Sequence, residues 1–222
     1  MNRTSRDAGW TGGLLVGASL SAGTFALAVS FGAFATLHGW PVGLVIAMSV
    51  LVFSGSAQFA LVTSTAGGGG LATGLGAAAL INTRFLPMAA ATARHLKGSR
   101  LRRAFEGQAV VDGSFVSAQR PDGRIDREKL IGATLVQWPA WIAGTAVGAV
   151  FVPSTDFIHR TGLDLIFPCF FLLLLLDALR SRPDHRVVAG AGVVIAGAAS
   201  LALSPGLSLL LCGAAAALAA RR

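Results

Sequence analysis

Charge is what this 222-residue sequence has least of: 13% of its residues are Asp, Glu, Lys or Arg, against 54% hydrophobic. A soluble domain carries about 25% charged residues, and a chain this poor in charge has too little to cover a water-facing surface. The shortage is also uneven. No charged residue lies between Asp7 and Arg84, from Leu130 to Thr155, from Leu165 to Leu176, or from Val187 to Ala220. A hydrocarbon layer about 30 Å thick takes roughly 20 apolar residues per helix, so these gaps have the size of membrane spans. Cysteine is scarce too. Cys169 and Cys212 each sit inside an apolar run, with no metal-ligand spacing beside them, and read as small apolar side chains.

Missing motifs exclude other classes. There is no HExxH, and no acid pair at metal-ligand spacing inside a span. His38, His95, His159 and His185 fall in loops or at span ends, so none stands ready to activate Ser56 as a nucleophile. The glycine run Gly67–Gly70 is not followed by the Lys-Ser/Thr of a phosphate loop. No enzyme, cofactor or metal is expected. The net charge of +8 raises nucleic acid as a partner, but no binding motif accompanies it. Its basic residues form short clusters between apolar segments, as membrane topology requires.

The apolar runs predict an all-α, polytopic transmembrane bundle of about six or seven spans, one domain over 1–222. Spans are expected near 13–37, 71–92, 131–152, 163–180, 187–203 and 205–220. The first follows Arg3 and Arg6 but is longer than a signal-peptide core, and reads as a retained helix. Gly, Ala and Ser are abundant in these segments and let helix backbones approach closely.

The interval 40–70 either crosses or enters and returns. The cluster Arg94, Lys97, Arg100, Arg102 and Arg103 belongs in the cytoplasm, as do Arg3 and Arg6. An even number of crossings must separate them, and 13–37 with 71–92 already make two. The segment near 40–70 is therefore expected to be broken or re-entrant. Residues 93–130 then form a cytoplasmic loop, in which 104–118 is an interfacial helix or a second re-entrant element. Residues 119–129, centred on Pro121-Asp122-Gly123, are a solvated turn and helix start. Of 18 basic residues, all but Arg84 and Arg160 fall on the cytoplasmic side.

A few polar groups are stranded in these spans. Ser54-Gly55-Ser56-Ala57-Gln58 is either a helix break whose freed backbone groups meet a solute, or a packing face with Gln58 bonded between helices. Asn82-Thr83-Arg84 places a guanidinium deep in an apolar run, where a charge costs about 2.5–3.5 kcal/mol. Arg84 can take a carboxylate through paired hydrogen bonds, reach for the surface, or pair with Asp112 or Asp177. Asp112, in Ala109-Val110-Val111-Asp112-Gly113, has surroundings that can raise a carboxyl pKa and suit proton coupling; the alternative is a helix cap. Pro139 is expected to kink its span, with Trp138 and Trp141 as interface anchors. Asp164 and Asp177 read as helix-end residues, and Pro168 as a second kink.

The order and spacing of several motifs resemble the AzlC family, large subunits of bacterial branched-chain amino-acid exporters. The likeness covers roughly residues 14–180. Val52-Phe53-Ser54-Gly55-Ser56-Ala57-Gln58-Phe59 is similar to that family's F-(A/S)-G-(A/S)-(A/S)-Q-F stretch, and Ile81-Asn82-Thr83-Arg84 to its I-N-x-R motif. Val111-Asp112-Gly113-Ser114-Phe115, Trp141-Ile142-Ala143-Gly144-Thr145 and Gly162-Leu163-Asp164-Leu165-Ile166-Phe167-Pro168 also fit. Phe85 stands where the family often has His, and Gly113 where it often has Glu. The resemblance implies secondary export from the cell through the bacterial cytoplasmic membrane, with a small membrane subunit of the AzlD type. On that footing Ser54, Gly55, Ser56, Gln58, Asn82 and Arg84 are the expected substrate-binding residues and Asp112 the expected proton carrier. A non-transporting membrane scaffold is the alternative.

Overall fold

A computed structural model describes residues 9–120, 122–151 and 185–203, with isolated positions between 160 and 180. The spans expected at 163–180 (those positions apart) and 205–220 lie outside the described residues, as do Asp164, Pro168 and Asp177. Among the described residues the structure is helical throughout, apart from one isolated bridge between Gln119 and Ile125.

Among the described residues, two helices are long and apolar enough to cross a membrane: α1 (Gly9–Leu37) and α8 (Arg127–Val150). They pack side by side and run parallel. Gly13 faces Lys129 and Gly132, Gly17 faces Ala133 and Val136, and Gly32 faces Thr145 and Ala149. From the other side Gly144 meets Phe25 and Ala28, and Gly148 meets Val29. A Cβ built on Gly13 or Gly17 lies 2.6 Å from a carbonyl oxygen of α8, so this seam accepts no larger side chain. The two helices also start together, since Gly9 N–H donates to Asp126 Oδ2 at 3.1 Å. α1 stops in a Schellman turn. Gly39, at φ +82°, sends its N–H to Thr36, while Trp40 sends its own to Ala35. Pro41 follows and starts a new direction.

The interval expected to be broken is broken. α2 (Val42–Leu51) ends before Ser54, and α3 (Gly55–Ala66) begins just after it. Gln58 Nε2 donates to Ser49 Oγ at 3.0 Å. Nine residues of continuous helix would separate these levels by about 13.5 Å, so the chain turns back on itself at 52–54. Phe59 then packs against Phe31 and Phe34, toward the far end of α1.

A glycine turn leads into α4 (Gly70–Asn82), which returns antiparallel to α3: Gly74 lies on Leu61, and Ser54 bonds Asn82. The expected span 71–92 is not continuous. α4 ends at Asn82 and α5 (Phe85–Ala93) begins after Arg84. Pro87 lacks the N–H that would bond Thr83 four residues back, and Leu86 N–H takes that carbonyl instead at 3.0 Å.

α6 (Arg100–Gly107) lies at the end where α8 begins, with Glu106 bonded to Arg127. From there the chain climbs alongside α8, where Thr134 Oγ1 donates to the Ala109 carbonyl at 3.0 Å. It descends again as α7 (Asp112–Ala118), and Asp126 N–H meets the Ala118 carbonyl. Of the two readings of 104–118, the ingoing and returning one describes 108–118. α9 (His185–Ala202) covers the span expected at 187–203.

The surface of the described residues is more apolar than a soluble protein's, and the interior mixes apolar with hydrogen-bonding side chains. Leu15, Leu44, Leu71, Leu75, Leu86 and Leu135 face outward. Ser49, Ser64, Thr92, Ser114, Thr145 and Gln58 are fully buried. An apolar surface is the arrangement stable in hydrocarbon, and most of these buried polar groups find partners inside.

Candidate functional site at the meeting of three helix interruptions

Three interruptions converge on the middle of α1. They are the reversal at Val52–Ser54, the joint at Thr83–Arg84, and the reversal at Val111–Asp112. Between them lies a cavity of about 330 Å³. Leu20, Gly23, Thr24 and Leu27 form one wall, at the helical spacing i, i+3, i+4, i+7. Ser54, Gly55 and Ser56 contribute the second wall, Arg84 and Phe85 the third, and Asp112, Gly113 and Gln137 the fourth.

The charges in it are paired. Arg84 Nη2 stands 2.7 Å from Asp112 Oδ2, with the guanidinium 4.9 Å from the centre of the Phe85 ring. Both side chains remain partly accessible, at 32% and 43%. Arg84 Nε and Ser56 Oγ are buried with no hydrogen-bond partner among the described residues. The site therefore carries opposite charges and unused polar groups, facing Leu27, Phe53, Phe59 and Trp141. A further donor set comes from the start of α3. The first amides of a helix have no intrahelical acceptor and favour an anion; Ser54 gives no side-chain cap there.

The expected site residues divide into two groups. Ser54, Gly55, Ser56, Arg84 and Asp112 line the cavity. Asn82 stands one step behind, its Oδ1 accepting from Ser54 Oγ at 2.7 Å. Gln58 is buried behind the wall. Its Oε1 accepts from Trp141 Nε1 at 3.1 Å, its Nε2 donates to Ser49, and Ser49 meets Thr145 at 2.9 Å. This chain of bonds ties both limbs of the α2–α3 hairpin to α8.

Trp138 and Trp141 correct an expectation. Neither is an interface anchor: Trp138 donates to the Ser49 carbonyl, and Trp141 is buried against Phe31 and Gly55. The Trp138 N–H finds a carbonyl left open at the end of α2, and the Trp141 N–H finds the side-chain oxygen of Gln58. Gln137 and the α1 face had not been singled out as lining. Gln137 is a polar residue two positions before Pro139 in an uncharged run, and that much was visible.

At the rim of the bundle, where α8 begins, Glu106 accepts from Arg127 Nε at 2.8 Å and also meets Arg127 Nη2, Arg102 and the Lys97 amide. The Arg127 guanidinium, above all, holds its carboxyl down to about 2 from an ordinary 4.5, against the opposing effect of desolvation.

The chain is 28% identical over 204 residues to an uncharacterized membrane protein of Archaeoglobus fulgidus, covering 88% of each chain. It is 22% identical over 181 residues to an uncharacterized membrane protein of Helicobacter pylori, covering 80% of this chain and 78% of the relative. It is also 22% identical over 179 residues to the branched-chain amino acid transport protein AzlC of Bacillus subtilis, covering 79% and 70%. No solved structure matches. The apolar surface and these relatives together place the chain in a membrane. The AzlC protein family matches residues 19–154, a stretch that holds every cavity-lining residue, and the chain belongs to that family.

Proposed function

We propose that this chain is a secondary exporter of branched-chain or similar neutral amino acids across the bacterial cytoplasmic membrane, driven by protons and acting with a small membrane subunit of the AzlD type. The observation that carries the reading is the Arg84–Asp112 pair, held 2.7 Å apart in a cavity with apolar walls. A zwitterion can replace each member of that pair with its own opposite charge. Its carboxylate takes Arg84, the α3 amides and Ser56 Oγ; its ammonium takes Asp112. Leu20, Leu27, Phe53, Phe59 and Trp141 receive the side chain. The cavity is at the lower end of the range for small-molecule sites.

The same pair offers a route to coupling. A proton and an ammonium group compete for one carboxylate. A carrier that exposes Asp112 first to one side and then to the other exchanges an inward proton for an outward amino acid, without a nucleotide. Gln58 and Asn82 act as positioning residues here, holding Trp141 and Ser54 in place. The name of the Bacillus subtilis relative supports the substrate class.

The test is uptake of labelled leucine into inverted vesicles under an imposed pH gradient. Arg84→Ala is expected to lower it at least about tenfold, since it removes the charged donor for the substrate carboxylate, a bond worth about 1.5–3 kcal/mol. Unchanged uptake in this variant contradicts the site. Wild-type vesicles that take up no neutral amino acid contradict transport and favour a scaffold.

A further inference from the structure

Glycine is disfavoured inside a helix relative to alanine, so each one calls for a reason. On α1 most have one. Gly13, Gly17 and Gly32 press against the backbone of α8, where a Cβ would collide. Gly23 does not. Around the position its Cβ would take, no described atom lies within 4 Å, and it belongs to the cavity wall. Its neighbours on the same helical face, Leu20, Thr24 and Leu27, all project side chains. The wall therefore has a notch one residue wide.

The other two glycines of the cavity differ. At Gly55 a Cβ would stand 2.5 Å from the Trp141 ring, so the missing side chain makes room for the indole. At Gly113 it would stand 3.3 Å from both Gln137 Oε1 and Leu20 Cδ1, so that space is already closed in. Only at Gly23, of these three, does the absent side chain leave space that no described residue fills.

We infer that Gly23 determines specificity by size: the notch it leaves receives the branched end of the substrate side chain. The inference rests on the transport reading and deepens it. Charge recognition by Arg84 and Asp112 is common to every neutral amino acid and cannot separate leucine from alanine. Wall shape can, and one methylene more or less in an apolar pocket changes selectivity by about 10–200-fold.

The experiment compares labelled leucine and labelled alanine uptake by inverted vesicles carrying wild type, Gly23→Ala, Gly23→Val or Gly43→Val. Gly43 is an exposed α2 glycine with no described atom near its Cβ position and no part in the cavity, so Gly43→Val controls for the helix itself. Elution from a sizing column in detergent checks that each variant is folded. Gly23→Val is expected to lower the leucine-to-alanine ratio at least about tenfold, with Gly23→Ala between it and wild type and Gly43→Val unchanged. A ratio that stays constant while leucine uptake persists overturns this inference alone. Wild-type vesicles that take up neither substrate overturn the transport reading and this inference together.

Discussion

Among the described residues, two of the ion pairs that join an arginine to a carboxylate, Arg127–Glu106 and Arg84–Asp112, are built for opposite ends. Glu106 at the rim is closed in, 9% exposed, and bonded to Arg127, Arg102 and the Lys97 amide at once. Arg84 and Asp112 share a single contact, stand 32% and 43% exposed in a cavity, and leave Arg84 Nε with no described partner. A saturated pair holds helices together, because nothing that arrives can improve on its contacts. An unsaturated pair facing open space can be exchanged for a ligand. The lesson is that charge inside a helical membrane protein is read by how completely it is satisfied, not by its presence alone.

That comparison breaks first at Arg84. Arg84→Ala and Asp112→Asn should each lower leucine uptake at least about tenfold while moving the thermal midpoint in detergent little. Arg127→Ala should do the reverse, lowering the midpoint while transport per folded molecule persists. If Arg84→Ala melts like Arg127→Ala, the two pairs are the same kind of thing and the distinction fails. Next in size is Glu106→Gln, which removes charge-assisted bonds at the rim and should cost about 1.5–3 kcal/mol, read from denaturation in mild detergent. Gln58→Leu comes third. It frees the Trp141 indole N–H and uncouples α3 from Ser49, so uptake should fall less than in Arg84→Ala, with the leucine concentration for half-maximal uptake raised.

The smallest effect is in pH. Glu106 has its carboxyl lowered from 4.5 to about 2 in the folded chain, so its contribution to stability is complete above 4.5. It is lost as pH falls from 4.5 toward about 2. Thermal midpoints should therefore drop across that acid window in the wild type and drop less in Glu106→Gln. Equal slopes would show that the rim pair is not what titrates.

Much of this was legible in the sequence because the relevant signals are exclusions. A chain with no charge from Ala8 to Thr83 has few places to be, and the polar residues left in such a stretch are conspicuous. Ser54 and Ser56 stand out by that test, Arg84 ends the stretch, Asp112 is marked by its apolar neighbours, and the cavity brings these four together with Gly55. The break near 40–70 followed from counting basic clusters. What sequence could not supply was facing. Gln58 and Gln137 look alike as isolated amides in apolar runs, yet one turns to Trp141 behind the wall and the other to the cavity. Trp141 looked like a surface anchor because tryptophan is common at interfaces, but its N–H acceptor is Gln58, 83 residues earlier, on the returning limb of a reversal. The joint at Arg84 was hidden by the uniform apolar run of 71–92. Pro87, four residues after Thr83, was its available mark.

The claim beneath all of this is that a solute from water reaches the junction of the broken helices. Ser56 is the position to probe, since the residue lines the cavity and its buried hydroxyl has no described partner. With Cys169 and Cys212 replaced by alanine, Ser56→Cys should react with a membrane-impermeant thiol reagent in oriented vesicles, and leucine should slow that reaction. A cysteine there that no reagent reaches from either side would contradict the account.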